Sequence, residues 1–365
     1  MSLVKGVVIV AAKRTAFGKN GGKLKNVPMA DLQTMAARAA LASATISPDL
    51  VDTVVIGNVH SSNAPDGIFL GRHVLLRTGV PTEKTAMTVN RLCGSGFQAI
   101  VCGVQDLLTG AARVSLTGGV ENMSATPYMV RGIRHGIPLG ERYGITRDEV
   151  DEYALTSQKR WKAAQDGGRF AEEMVPVRVN AEMELTVDEH PRPESTIEGL
   201  KKLPSVFKKD GLVTAGSASG ICDGAGAVVI ATDEAAVAHN LKPLARIVGY
   251  SIVGVEPSIM GIGPAPAIRT LLKAAGKTLD DIDLVEINEA FGAQTLACAK
   301  DLGLDLEKLN VDGGAIALGH PLAASGSRIM AHLVHELRRR KAKYGIGSAC
   351  IGGGQGIALM VEALK

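Results

Sequence analysis

The sequence predicts a duplicated α/β architecture: two copies of one strand-and-helix unit about a pseudo-twofold axis, with an inserted loop domain between them. Three observations carry this reading. Ser47-Pro48-Asp49-Leu50-Val51-Asp52, leading into Thr53 to Asn58, returns as Thr278-Leu279-Asp280-Asp281-Ile282-Asp283, leading into Leu284 to Glu289, an offset of 231 residues (47 to 278). Ser95-Gly96 returns as Ser325-Gly326 at an offset of 230 (95 to 325), each followed by a helix and then a strand opening near Val114 or Tyr344. Strands and helices alternate with short connections in both copies, whereas the pattern loosens between about 120 and 240. The expected units are therefore residues 1–119, a loop domain over 120–240, and 241–365.

Taken in order, residues 4–12 read as a buried strand and 29–44 as an alanine-rich helix. A β-compatible run, Thr85 to Val89, leads into small residues around Cys93, and Ile100, Val104, Leu107 and Leu108 then fall at helical spacing. Such alternation argues for a mainly parallel sheet in each copy, covered on both faces. In the middle, Thr126 to Gly140 is irregular and basic, and Arg147 to Ala164 is a polar helix carrying the only tryptophan, Trp161. His190-Pro191-Arg192-Pro193 and Lys208-Lys209-Asp210-Gly211 follow, a pattern suited to a loop domain laid over a crevice.

Composition narrows the function classes. With 365 residues, 46% hydrophobic and 21% charged, the chain is globular and suited to more than one core. Only 3% is aromatic and the net charge is +3, which argues against a nucleic-acid-binding platform; Arg338-Arg339-Arg340-Lys341 reads as the solvated end of a helix. The five cysteines show neither CxxC pairing nor metal-ligand spacing, the pattern of reduced thiols in an intracellular protein. No apolar run has membrane-spanning length. The N-terminus is basic and acid-poor up to Asp31, compatible with organelle import; the strand expected over Val7 to Val10 predicts that the segment is retained.

The chemistry-bearing residues collect at strand ends. Cys93 sits on a strand-to-helix turn, where unpaired N–H groups and the helix dipole favour a thiolate. In the second copy, Asn288 follows a strand, His320 lies in the small-residue turn Gly313 to Gly326, and Cys350 closes a strand before Gly352-Gly353-Gly354. Singly, each has an ordinary structural reading: a packed cysteine, a turn-forming asparagine, a satisfied histidine. Together, at the carboxyl ends of strands facing a shared crevice, they point to catalysis.

These segments resemble those of the thiolase family, and within it the mitochondrial-type 3-ketoacyl-CoA thiolases. The likeness covers almost the whole chain and rests on Asn90 to Ile100, Asn288-Glu289-Ala290-Phe291, Gly319-His320-Pro321 and Cys350-Ile351-Gly352-Gly353-Gly354. The resemblance implies the two-copy thiolase fold with a loop domain. It implies thiolytic cleavage of a 3-ketoacyl-CoA in fatty-acid oxidation, with acetoacetyl-CoA formation by the same residues as the alternative. Cys93 is then the acyl-accepting nucleophile, His320 takes its proton, and Cys350 handles the proton on the α-carbon of acetyl-CoA. One oxyanion hole is assigned to His320 with a water held by Asn288, the other to the N–H groups of Cys93 and Gly352. Coenzyme A is the co-substrate, with contacts from Arg192, Ser195 and Ser219; no tightly bound cofactor and no metal are implied. A homodimer or homotetramer and a mitochondrial matrix address follow from the same likeness, a cytoplasmic one being the alternative; Ala363-Leu364-Lys365 is not a peroxisomal tripeptide.

One departure stands out. Family members carry a further segment between the equivalents of Gly140 and Glu141, including a Thr-Ala-Glu-Asn helix start; here Pro138-Leu139-Gly140 runs directly into Glu141-Arg142-Tyr143. Its absence predicts weakened substrate binding or an unstable loop domain, and keeps a catalytically impaired acyl-CoA-binding protein as a competing reading. Ala323-Ala324 and Ser217 are smaller departures of little expected effect.

Overall fold

The structure, a computed structural model, describes residues 4–64, 67–126 and 143–364. The junction at Gly140 and Glu141 lies outside them. An 11-stranded sheet runs through the molecule. Its longer strands are β1 (Val7–Thr15), β2 (Thr53–Gly57), β3 (Thr85–Val89), β4 (Val114–Asn122), β5 (Cys222–Thr232), β6 (Ala245–Gly254), β7 (Leu284–Ile287), β8 (Tyr344–Ile351) and β9 (Gln355–Ala363). They lie in the order β7-β8-β9-β6-β1-β5-β4-β2-β3. The duplication is visible in this order. β2, β4, β5 and β1 of one half match β7, β8, β9 and β6 of the other, and the halves meet where β1 pairs antiparallel with β6 (Val8 with Arg246, Ile9 with Ala245).

One expectation is corrected: the sheet is mixed rather than mainly parallel. Only β2–β3, β2–β4 and β7–β8 pair in parallel among the longer strands, while β5 and β9 run antiparallel to both of their neighbours. The reason is connectivity: β9 follows β8 by a tight turn at 352–354, and a hairpin can only be antiparallel. β4 continues to Asn122, and β5, 11 residues long, pairs with β1 and β4 of the first half, so the inserted stretch ends before Cys222.

Period-two burial sorts the strands between layers. Val7 and Ile9 face the layer of α3 (Ser95–Leu108) and α7 (Ala324–Arg340), with Phe97, Ile100, Val104, Ile329, Leu333 and Leu337. Val8 and Val10 face α1 (Met29–Ser43) and α2 (Leu70–Thr78) on the opposite side. In the second half Ile346, Ala358 and Met360 face α5 (Pro264–Ala275) and α6 (Gly292–Leu302). The equivalent helices α3 and α7 cross near their starts. A Cβ on Gly96 would collide with the Ala323 carbonyl oxygen, and one on Gly326 with the Phe97 nitrogen, so glycine alone permits this approach. The polar helix α4 (Arg147–Asp166) begins with a capping box in which the Glu149 carboxylate accepts the Thr146 N–H at 2.7 Å.

Beneath α7 lies an ionic core. Arg14, fully buried, donates to Glu173 (2.6 Å) and Asp188 (2.8 Å). Glu173 in turn meets His332 Nδ1 at 2.7 Å. Arg328 donates to Glu286 at 3.1 Å, and His332 Nε2 stands 3.7 Å from Asp312 and 3.9 Å from Glu286. Burial opposes charge on His332, but the carboxylates of Glu173, Glu286 and Asp312 outweigh it and raise its pKa to about 9.

Candidate active site

The Cys93 turn is built from local polar contacts. After β3, the Leu92 N–H donates to Asn90 Oδ1 (2.9 Å), and Ser95 Oγ donates to the Leu92 carbonyl (2.7 Å) while accepting the Arg91 N–H (2.9 Å). Leu92 is held at φ 47°, an uncommon conformation for a residue with a Cβ. That strain sits immediately before the nucleophile candidate. Cys93 remains partly exposed, two residues before α3 begins.

The second sulfur comes from the other half. Cys350, 1% exposed, is the last residue but one of β8. The two turns are in contact: a Cβ on Gly94 would lie 2.6 Å from Ile351 Cδ1, and one on Gly352 would lie 3.2 Å from Leu92 Cδ1. Arg91 fastens them, donating to Gln98 (2.7 Å) on α3 and to Gln355 (2.8 Å) at the start of β9. Burial, then the adjacent Cys93 and Cys298, push the Cys350 thiol well above its ordinary value of 9.0. Cys350 is therefore a protonated thiol in the resting site, suited to giving a proton rather than taking one.

His320 is buried in the turn before α7. Its Nδ1 lies 2.6 Å from Ser325 Oγ and its Nε2 lies 3.4 Å from Asn288 Nδ2. With Nδ1–H donated to Ser325, Nε2 is left as an acceptor. Burial, and then the charge of Arg328, lower the imidazole pKa to about 4, so it is neutral at pH 7. Asn288, fully buried at the end of β7, keeps an Oδ1 with no hydrogen-bond partner among the protein atoms described.

Glu289 explains why the motif around Asn288 carries a carboxylate. Fully buried, it accepts from Tyr153 Oη (2.8 Å), Ser157 Oγ (2.8 Å), Asn310 Nδ2 (2.9 Å) and the Ile316 N–H (2.9 Å). It thus joins α4, the end of β7 and the stretch leading to His320.

Of the residues expected to contact coenzyme A, Arg192 and Ser195 share a cleft of ≈ 270 Å³ with Gln158, His190, Leu200 and Gly216. Ser195 Oγ donates to the Arg192 carbonyl at 2.7 Å, and the Arg192 N–H donates to Gln158 Oε1 at 2.8 Å. Ser219 lies outside that cleft, its N–H donating to the Ala290 carbonyl at 3.1 Å. The next residue, Gly220, accepts the His320 N–H at 2.8 Å, so this strip leads from the cleft toward His320. Sequence reasoning missed Arg91, Gln355, Arg328 and Glu121. Ser325 was visible only as a marker of the repeat.

Comparison with known proteins agrees with this geometry. The thiolase N-terminal domain model matches residues 7–143 and 138–234, and the thiolase C-terminal domain model matches 241–363. The chain is 54% identical to the mitochondrial 3-ketoacyl-CoA thiolase of Homo sapiens over 396 aligned positions, covering 100% of both chains. It is 43% identical to an acetyl-CoA acetyltransferase of Chromobacterium violaceum, covering 98% of this chain and 99% of the other. A crystal structure of the human mitochondrial enzyme in complex with CoA superposes with a TM-score of 0.96 at 53% identity, covering both chains fully. The acetyl-CoA acetyltransferase of Bacillus anthracis does so with a TM-score of 0.93 at 41% identity, again over 100% of each chain. The chain belongs to the thiolase family, with the two-half thiolase fold.

Proposed function

We propose that Cys93, His320, Asn288, Cys350 and Gly352 form one catalytic centre for the reaction of this acetyl-CoA C-acyltransferase, the thiolytic cleavage of a 3-ketoacyl-CoA in β-oxidation. The observation that carries the assignment is the contact between the Cys93 and Cys350 turns, contributed by opposite halves. Neutral His320 takes the Cys93 proton, and the thiolate attacks the ketone carbon. The bond between the α- and β-carbons then breaks, leaving acyl-Cys93 and the enolate of acetyl-CoA. Cys350, a thiol by virtue of burial, protonates that enolate. Coenzyme A next attacks the acyl-Cys93 carbonyl, its thiol proton passing to the Cys350 thiolate; the bond to Cys93 breaks, the Cys93 sulfur takes back the proton held by His320, and the shortened acyl-CoA leaves. Once protonated, His320 donates from Nε2 toward a developing oxyanion, beside a water that the unpartnered Asn288 Oδ1 is placed to hold. The N–H groups of Cys93 and Gly352 serve the second oxyanion. Arg192, Ser195 and Ser219 bind coenzyme A, the arginine at a phosphate or nucleotide edge and the serines at pantetheine amides. Acetoacetyl-CoA formation uses the same residues in reverse.

Intact-mass measurement after brief exposure to acyl-CoA tests this assignment. The parent and Cys350→Ala gain an acyl group, Cys93→Ala does not, and Cys350→Ala loses carbon–carbon exchange. Acylation of Cys93→Ala would remove Cys93 from the role.

A second reading has its own support. The N-terminal family model fits in two overlapping pieces that break at 138–143, and the human relative aligns over 396 positions against 365 residues here. Residues of the relative thus lack counterparts in this chain. On this reading the chain binds acyl-CoA but turns over slowly. Restoring the segment would then lower the KM for acetoacetyl-CoA or raise the melting temperature; no change in either would exclude it. A mitochondrial address accords with the name of the human relative, and the matrix is the compartment proposed within it. Among the described residues no strand pairs with the outer edge of β3, with Met87 45% and Leu92 41% exposed, and a second copy of the chain is its expected cover, as a homodimer or within a homotetramer.

A further inference from the structure

The repeat that built the site also built its mirror position. Ser95 stands for Ser325 and Ala323 for Cys93 at the offset of 230, and Asn58 for Glu289 at 231. In the first half, the turn before α3 presents Cys93 and its N–H to the substrate, on the reading above. In the second half, the turn before α7 presents the N–H of Ala323, and there a protein carboxylate has taken the anion's place. Glu121, fully buried at the end of β4, accepts the Ala323 N–H on Oε2 at 3.4 Å. Its remaining partners belong to the segment after β2: the Val59 N–H (3.1 Å) on Oε2, and the His60 N–H (2.9 Å) and Asn58 Nδ2 (3.1 Å) on Oε1. The His60 ring stands half-buried, its Nδ1 3.5 Å from Glu121 Oε1. The carboxylate is held chiefly by N–H donors, which is how an anion is accommodated at a helix start.

The same turn carries His320. Leu322 N–H donates to the His320 carbonyl (2.9 Å), Ala324 N–H to the Pro321 carbonyl (2.7 Å), and Ser325 Oγ meets His320 Nδ1 (2.6 Å), so residues 320–325 move as one piece. Two glycines of the first half, Gly96 and Gly119, make room for the Ala323 carbonyl, where any Cβ would collide. Glu121 grips the N–H side of the same residue.

We propose that Glu121 is a positioning residue for the reaction, a built-in anion that occupies the second half's counterpart of the oxyanion position and thereby seats the His320 turn against the half that carries Cys93. The inference rests on the assignment of Cys93 and His320 above. Glu121→Gln preserves shape but replaces one oxygen by an NH2 group, which must then face either Ala323 and Val59 or His60 and Asn58 as donor against donor. Displacing His320 by even about 1 Å is expected to lower kcat by roughly ten- to a hundredfold.

The experiment uses the full-length enzyme as parent, Glu121→Gln, and Glu121→Asp, whose shorter carboxylate keeps its charge but withdraws from Ala323. Steady-state kinetics are measured with acetoacetyl-CoA and CoA, alongside the pH dependence of Cys93 alkylation by iodoacetamide and the melting temperature. The expected result is a fall in kcat with KM for CoA little changed, and an alkylation midpoint moved to higher pH because His320 no longer takes the Cys93 proton. If the glutamine variant does not fold, the aspartate variant carries the same readouts. Parental kcat and alkylation profile in a folded variant would overturn the proposal, as would a loss of melting temperature with parental kcat per folded molecule. A parent that forms no acyl-Cys93 would instead overturn the assignment of the catalytic centre, and this inference with it.

Discussion

His332 makes stability fall as pH rises from about 6 to about 9. Its pKa in the fold is about 9 against an ordinary 6.5, because Glu173, Glu286 and Asp312 outweigh burial. A histidine with a raised folded pKa contributes stability that is complete below the unfolded value and lost as pH climbs through the folded one. Two and a half pK units at 1.36 kcal/mol each correspond to about 3 kcal/mol. For 365 residues, with an unfolding entropy of about 2.1 cal/mol/K per residue, that is a drop in melting temperature of about 4 °C. Other groups titrate in the same window, so the measurement is a difference between parent and His332→Asn, each scanned at both pH values by circular dichroism. The parent should lose about 4 °C more than the variant. Equal losses would mean that the ion pair at 2.7 Å with Glu173 contributes nothing, and the reasoning from its geometry would be wrong.

Asn288→Ala should reduce kcat by about 10²–10³ while leaving KM for CoA near the parental value, read in steady-state kinetics, because it removes the holder of an oxyanion water rather than a CoA contact. Glu289→Ala leaves four donors without their acceptor in the interior and should cost at least about 3 kcal/mol, seen as a lowered melting temperature together with lost activity. Gly326→Ala forces a methyl group against the Phe97 backbone nitrogen; opening the helix crossing should cost about 1–3 kcal/mol by thermal denaturation, with activity falling further than stability alone accounts for.

Much of the site was legible in the residue pattern because each piece is local. Cys93, Asn288 and Cys350 lie at strand ends and His320 in the turn before α7, each within a short stretch readable on its own. The antiparallel return of β5 was not, since nothing between Asn122 and Cys222 announces which strands Cys222–Thr232 will join. The ionic core was equally hidden: Arg14 and Glu173 lie 159 residues apart, as do Glu173 and His332, and each alone reads as surface charge. Glu121 sits inside a glycine-rich strand whose pattern signals only burial. Its partners, Asn58 to His60 and Ala323, come from opposite halves of the chain.

The strand at Cys222–Thr232 also governs the order in which a ribosome can deliver a foldable chain. β1 is made well before its long partners: β5 and β6 are completed only at Thr232 and Gly254, and before them only Met174–Val175 pairs with it, at Arg14 and Thr15. Until then the apolar stretch Val7 to Ala12 has neither edge occupied, and the growing polypeptide exposes a template for unwanted pairing. The first half therefore cannot close until Cys222–Thr232 has been made, although most of its strands precede the inserted stretch.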